Sequence, residues 1–486
     1  MRRQNMNRSI LSISIALFAL SGINLQSGEL PNIVVILADD MGFGEVQHLN
    51  PKRGKIKTPH LDKLAREGLV FTDGHSGSSV CTPTRYGLMT GRYAWRTRLQ
   101  KGVLTGGESL IAQNRLTIAK MLRLKGYHTV AIGKWHLGML YDGVKNSGKV
   151  PVGARISHGP IDRGGFHEFY GFHHARQMNL WIENDKVTQN LKPEEMLPML
   201  TTQAVKYLQS RKGNKQPFFL YVPWNSPHSP VVPTKKWQGK SKLNAHADFV
   251  MQTDDSFGQV IQALKETGHF ENTLVICTAD NGTSGPTSKM SDLIKKGHYP
   301  SANLRGSKAD IWDGGHRVPF IASWPKVIES GRKTDALVCL TDLMATAADL
   351  TGAKLPEDAA EDSLSFANVL RDEGKPMREN VVHHSIEGQF AIREGRWKLI
   401  CCPGSGGWGK PGTKTALKQA NQKKLPFIQL YDMEQDVGEK KNLAIKSSEK
   451  ATVLRALLDQ QIEMGRSTPG PKQKNDAKIV VDKWKK

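Results

Sequence analysis

The sequence predicts a mostly parallel, doubly wound α/β sheet flanked by helices, followed by a smaller C-terminal antiparallel sheet with one helix. Three features point there. Short apolar runs rich in β-branched residues lack the alternation of a half-exposed strand. Segments of helical period separate them. The pattern then changes near residue 380 to brief strand-like pieces divided by turn residues.

The first run, Asn32-Ile33-Val34-Val35-Ile36-Leu37-Ala38, reads as a strand buried on both faces. Leu116, Ile118, Ala119, Met121 and Leu122 have helical spacing, Gly126 follows as a C-cap, and His128-Thr129-Val130-Ala131-Ile132 is the next strand. The alternation recurs as a helix over 197–209, a strand over 218–222, a helix over 255–266 and a strand over 273–278. Beyond 380, residues 390–393, 397–400 and 427–431 read as strands and 448–463 as a helix. The Lys- and Gly-rich stretch 403–425 reads as a loop, and the Pro/Lys-rich end as frayed or wrapped on the surface. The division is a leader over 1–27, an α/β domain over 28–378, an α+β subdomain over 379–465 and a basic tail over 466–486. That tail carries seven Lys/Arg against two Asp, which would draw a polyanion.

The leader has Arg2, Arg3 and Arg8 before an apolar Ile10–Leu20 run, then Ser21-Gly22 and Ser27-Gly28, with cleavage open between the two. This is the layout of a secretory signal peptide, so the mature chain is expected in the periplasm or outside the cell. The run is too short for a spanning helix, and no later stretch suffices. Among 486 residues, 38% are hydrophobic and 23% charged, which excludes a disordered chain and a polytopic membrane protein. A net charge of +22 points to a polyanion (nucleic acid, anionic lipid or an acidic substrate) or to a solvated basic surface. Cys81, Cys277, Cys339, Cys401 and Cys402 are odd in number, so not all can pair.

Polar residues collect where buried strands end, the edge at which open α/β sheets bind ligands. The first strand ends in Asp39-Asp40 and the strand over 273–278 in Asp280-Asn281. Together they form a hard, all-oxygen set suited to Ca²⁺ or Mg²⁺, although each alone could equally be a turn or helix cap. Lys134 and His136 follow the 128–132 strand, His228 follows 218–222, and Lys308 lies in Leu304-Arg305-Gly306-Ser307-Lys308. Two lysines and two histidines beside an acidic cation site suit a multiply charged anion.

Cys81-Thr82-Pro83-Thr84-Arg85, running on to Thr90-Gly91-Arg92, resembles the type I sulfatase signature. The resemblance extends through Asp39-Asp40, Gly133-Lys134-Trp135-His136-Leu137-Gly138, His228, Asp280-Asn281-Gly282, Lys308, Asp313-Gly314-Gly315-His316-Arg317-Val318-Pro319, Ala391–Leu399 and Leu430-Tyr431-Asp432, covering about residues 30–465. It is nearest the arylsulfatase A and N-acetylgalactosamine-6-sulfatase branch. It implies an alkaline-phosphatase-like fold and a hydrolase of sulfate monoesters on glycans. Cys81 is then converted to Cα-formylglycine, whose hydrated form attacks sulfur with one hydroxyl and releases sulfate with the other. One Ca²⁺ is implied at Asp39, Asp40, Asp280, Asn281 and the converted Cys81. Arg85 and Lys134 resemble the residues that stabilise the nucleophile and its bound anion. His136 would take the second hydroxyl's proton, and His228 with Lys308 would hold sulfate and protonate the leaving oxygen.

The implied partners are a sulfated carbohydrate and a formylglycine-generating maturation enzyme, with no nucleic acid and no stable membrane insertion. Two other readings share the motifs: a phosphate or phosphonate monoester hydrolase, and a sulfated-glycan-binding protein whose Cys81 is never converted. Two departures stand out. Asp313 occupies a place where many relatives carry Glu, and Phe169-Tyr170-Gly171 leads into His173, His174, Ala175 and Arg176 where some relatives place a sulfate-contacting serine. His173, His174 and Arg176 are candidates for sugar or sulfate contacts.

Overall fold

The computed structural model describes residues 29–144, 149–374 and 377–485, so the leader over 1–27 lies outside the described residues. Among the described residues no helix is long and apolar enough to cross a membrane. Ten strands form the main sheet: β1 Asn32–Asp39, β2 Leu69–Phe71, β3 His128–Lys134, β4 Glu168–Phe172, β5 Leu180–Glu183, β6 Lys186–Asn190, β7 Phe218–Pro227, β8 Thr273–Ala279, β9 Phe320–Ser323 and β10 Arg332–Thr334. Their spatial order is β10-β2-β9-β8-β1-β7-β3-β4-β5-β6. The centre, β8-β1-β7-β3-β4, is parallel throughout, while antiparallel pairs flank it on both sides.

The central strands are covered on both faces, which is why they read as continuous apolar runs. Val34, Ile36 and Ala38 of β1, with Phe218, Leu220 and Val222 of β7, share a core with α1 Pro59–Glu67, α4 Pro193–Ser210 and α5 Ala245–Glu266. Ile33, Val35 and Leu37 alternate to the other face and are equally buried. Two further helices are α2 Cys81–Thr90 and α3 Ile118–Leu124.

The C-terminal antiparallel sheet is β11 Asn380–His384, β12 Phe390–Glu394, β13 Trp397–Ile400 and β14 Gln429–Asp432, in that order. Its core includes Leu454 and Leu458 of the helix Ser448–Met464. This sheet belongs to the same compact unit, which runs from Pro31 onward.

Several boundaries differ from expectation. Helix α5 begins ten residues earlier than its apolar period, because Asn244 caps Ala247 N and the polar residues of its first turns are buried and bonded. Strand β7 continues to Pro227, past the residues paired with β3. The expected 403–425 loop contains a helix, Thr413–Lys423, whose Ala416 and Ala420 supply a narrow buried stripe four residues apart. The chain end wraps back: Asp476 pairs with Arg92, Asn475 bonds Arg96, and Trp484 donates to the Cys401 carbonyl.

Candidate active site

The carboxyl ends of β1 and β8 place Asp39, Asp40, Asp280 and Asn281 side by side. Asp40 N donates to Asp280 Oδ1 at 3.1 Å, and Asn281 Nδ2 donates to Asp40 Oδ1 at 2.8 Å. Asp40 and His136 both adopt positive φ, 66° and 57°, conformations that non-glycine residues hold only where their surroundings enforce them. Cys81 opens α2, so the positive end of that helix faces the cluster. Its Sγ lies 3.6 Å from Asp39 Oδ1, 4.0 Å from Asp40 Oδ1 and 3.6 Å from Lys308 Nζ.

Three cations answer the three carboxylates. Lys134 Nζ donates to Asp39 at 2.6 Å, Lys308 Nζ to both oxygens of Asp40 at 2.6 and 2.7 Å, and Arg85 Nη2 to Asp280 at 2.8 Å. Arg85 also gives Nη1 to the Lys134 carbonyl at 2.8 Å. It is fully buried, and Asp39 Oδ1 also lies 3.4 Å from Nη2. Burial would raise the Asp39 carboxyl, but Lys134, His228, Arg85 and Lys308 hold it well below the ordinary range. Asp280 goes the other way, raised to about 6 by burial and by repulsion from Asp39. Burial, then the charge of Asp280, pushes the Cys81 thiol above its ordinary value, which disfavours the thiolate.

The donor set fits a hard cation. All the carboxylate and amide donors are oxygens, and Asn281 Oδ1 is a buried acceptor with no hydrogen-bond partner among the described residues. Asp39, Asp40, Cys81 and His228 each offer an atom within 4.8 Å of the others. Burial first, and Asp39 second, work against the charge of Asp280, and a divalent ion beside it would offset both. With three cations already matching three carboxylates, such an ion leaves a surplus of positive charge for an anion.

His228 donates Nδ1–H to the Ser229 carbonyl at 2.6 Å, which directs Nε2 inward, 3.7 Å from Asp40 Oδ2. His136 Nε2 bonds the Leu104 carbonyl, leaving Nδ1 buried and without a hydrogen-bond partner among the described residues. His174 stacks on His136 with centroids 6.0 Å apart, and His173 O accepts from His136 N at 2.8 Å. Arg176 is exposed at the start of the same loop. Asp313 lies outside this cluster, accepting from Lys398 Nζ at 2.7 Å and so tying its loop to β13.

A sulfatase family model matches residues 31–353. The chain belongs to the sulfatase family. Like its relatives, this sulfatase is a sulfuric ester hydrolase. It is 29% identical to an N-acetylgalactosamine-6-O-sulfatase of Bacteroides thetaiotaomicron, covering 90% of this chain and 94% of the relative. It is 30% identical to human arylsulfatase A over 90% of each chain. Among solved structures, a protein from a glycosaminoglycan-metabolising locus of Bacteroides thetaiotaomicron superposes with a TM-score of 0.79 at 28% identity, covering 89% of this chain and 99% of the other. The PsFucS1 sulfatase of Pseudoalteromonas sp. gives 0.72 at 25% identity over 90% of each chain.

A second histidine group, His75, His316 and His383, is fully buried. The His316 and His383 rings stack at 3.5 Å with planes 13° apart. Imidazole binds a metal in the plane of its ring, so two parallel stacked rings cannot aim at one ion. The sulfatase uses them as neutral hydrogen-bonding groups: Asp73 bonds His75, His75 bonds His316 at 3.1 Å, and Lys398 of β13 lies 3.2 Å from His316. All five cysteines are buried free thiols. Sequence reasoning gave no role to Leu104, Thr82, Glu45 or Thr283, although Thr82 lies inside the Cys81 signature and Glu45 is an acid five residues after Asp40.

Proposed function

We propose that this sulfatase removes sulfate from sulfated glycans outside the cytoplasm, after leader cleavage and after a maturation enzyme has converted Cys81 to formylglycine. The observation that carries this reading is the placement of Cys81 at a helix N-terminus, with Asp39, Asp40 and Lys308 atoms within 4.0 Å of its Sγ. The relatives named as N-acetylgalactosamine-6-sulfatases support a sugar as the alcohol.

Converted Cys81 supplies a hydrated aldehyde with two hydroxyls on one carbon, one to displace the alcohol from sulfur and one to expel sulfate. Asp39, Asp40, Asp280 and Asn281, with converted Cys81, would hold one Ca²⁺, whose chemistry here is Lewis-acid polarisation of a sulfate oxygen. The remaining work falls to the side chains. Lys308 keeps its proton, because the carboxylates of Asp40, Asp39 and Asp280 outweigh the cost of burying its charge, and its Nζ lies 3.6 Å from Cys81 Sγ. Lys134 adds a second cation. Arg85 holds Asp280 and the Lys134 backbone in place. His136 Nδ1 is a lone pair positioned to receive a proton, and burial, then Lys134 and Arg85, keep that ring neutral. His228 Nε2, aimed inward, gives a proton to the departing sugar oxygen from the imidazolium form, which burial disfavours and Asp40, then Asp39, favour. Arg176, exposed beside the buried His173 and His174, is the group of this segment free to meet the sugar.

The test combines the mass of the Cys81 peptide with turnover of defined sulfated sugars and of a matched phosphate ester. Conversion lowers the peptide mass by about 18 Da through loss of sulfur and two hydrogens and gain of one oxygen, and converted enzyme should prefer sulfate by kcat/KM. Full turnover by protein carrying only unmodified Cys81, or preference for the phosphate, would overturn the proposal.

A further inference from the structure

Glu45 lies in the single turn Phe43–Glu45, five residues beyond Asp40, and is fully buried. A buried carboxylate is costly unless its oxygens are satisfied. Here three donors from three places in the chain meet it. Gly42 N donates to Oε2 at 2.8 Å, Thr283 Oγ1 to Oε2 at 2.6 Å, and His246 Nε2 to Oε1 at 2.6 Å. Gly42 sits two residues after Asp40, and Thr283 two residues after Asn281. His246 is the second residue of α5, a helix built into the main core.

The two loops are closed against each other. Gly42 N also reaches Thr283 Oγ1 at 2.9 Å, and a Cβ on Gly42 would stand 2.4 Å from that oxygen. Thr283 extends the link, because its carbonyl accepts from Lys308 N at 3.0 Å. One carboxylate therefore joins the loop of Asp39 and Asp40, the loop of Asp280 and Asn281, and the backbone of Lys308.

Resting on the calcium reading above, we infer that Glu45 is a positioning residue for the cation site, clamping its two ligand loops in register through Gly42 and Thr283. The need is physical. Calcium requires oxygens from both loops at about 2.3–2.6 Å, and three neighbouring carboxylates repel one another until it arrives. A clamp braced on α5 holds them together beforehand. Groups that orient metal ligands in this way typically change metal affinity by about 10- to 100-fold when removed.

The experiment uses full-length protein stripped with a chelator and titrated with Ca²⁺ by calorimetry and thermal shift. Glu45→Gln keeps the shape but replaces one accepting oxygen by a donor. Thr283→Val removes the hydroxyl with almost no change in volume, and decides the matter alone if Glu45→Gln does not fold. The expected result in both is a calcium Kd raised about 10- to 100-fold. Stripped-state Tm should stay within a few degrees of wild type, and excess Ca²⁺ should recover most of kcat. If wild type binds Ca²⁺ and both variants bind it equally well, the clamp is overturned, whatever happens to Tm. If wild type itself shows no calcium binding, the calcium reading of the site falls first and the clamp with it.

Discussion

The Nε2 of His136 and the carbonyl oxygen of Leu104 lie 2.7 Å apart, and this one bond sets the chemistry of the ring. A carbonyl can only accept, so Nε2 carries the proton and Nδ1 is left bare. That lone pair is buried and meets no hydrogen-bond donor among the described residues. The ring is held by a loop with anchors of its own: Leu104 N donates to Thr82 Oγ1 at 3.2 Å, beside Cys81.

His136→Ala should therefore lower kcat by about 10²- to 10⁴-fold, the range for loss of a positioned proton acceptor. KM for nitrophenyl sulfate should move only a few-fold, because Lys134 and Lys308 still face the anion. Steady-state kinetics on enzyme with matched Cys81 conversion makes the comparison. A rise in KM at unchanged kcat would make His136 an anion-binding group instead.

His228 should behave differently. Its Nδ1 is fixed on the Ser229 carbonyl and Nε2 faces inward. A sugar alcohol leaves poorly without a proton, whereas nitrophenol hardly needs one. His228→Ala should therefore cost about 10²-fold or more on a sulfated sugar and far less on nitrophenyl sulfate. Equal losses on the two substrates would leave His228 as a sulfate ligand only.

What the sequence revealed and what it hid follow one physical line. The central strands were legible because burial on both faces forces a continuous apolar run, and the ligands at their ends because oxygen donors have recognisable side chains. The start of α5 was hidden because His246, Asp248 and Gln252 are polar yet buried, their bonds going to Glu45, Gly239 and Thr234. The helix over Thr413–Lys423 was hidden because its buried face is mostly alanine. Leu104 was illegible in principle, since its contribution to the site is a backbone carbonyl and any residue type has one.

Acid lability should trace to buried neutral histidines. His298 accepts from Lys55 N at 3.0 Å, and burial lowers its pKa to about 4, against about 6.5 for a free imidazole. The unfolded chain thus takes up a proton that the folded one refuses. The stabilisation is complete above pH 6.5 and is lost as pH falls from 6.5 through about 4. His298→Gln should lower Tm most at pH 8, and the gap from wild type should narrow by pH 4.5. A gap constant across that range would remove His298 as a contributor.

The C-terminal tail reaches the same loop that holds His136. Lys483 Nζ donates to the Gln100 carbonyl at 2.7 Å, and two residues on, Gly102 N donates to the Ile386 carbonyl at 2.8 Å. The tail is thus more than a basic extension that would draw a polyanion. Removing 483–486 should loosen residues 100–104 and let the Leu104 carbonyl drift from His136 Nε2. Small displacements of reacting groups are costly, so kcat on nitrophenyl sulfate should fall by about tenfold, with KM nearly unchanged. Lys483→Met should reproduce much of the loss, and Lys483→Arg should retain most of the activity. A cut at 472 should also lower Tm, because Arg92 and Arg96, both buried, would lose Asp476 and Asn475. Salt separates the two roles of the tail. Polyanion attraction is screened above roughly 0.1 M salt, so a loss confined to sulfated polymers at low ionic strength would mark an electrostatic tail. A loss on a small substrate at every ionic strength marks the strap, and unchanged small-substrate kcat after removal of 483–486 would refute it.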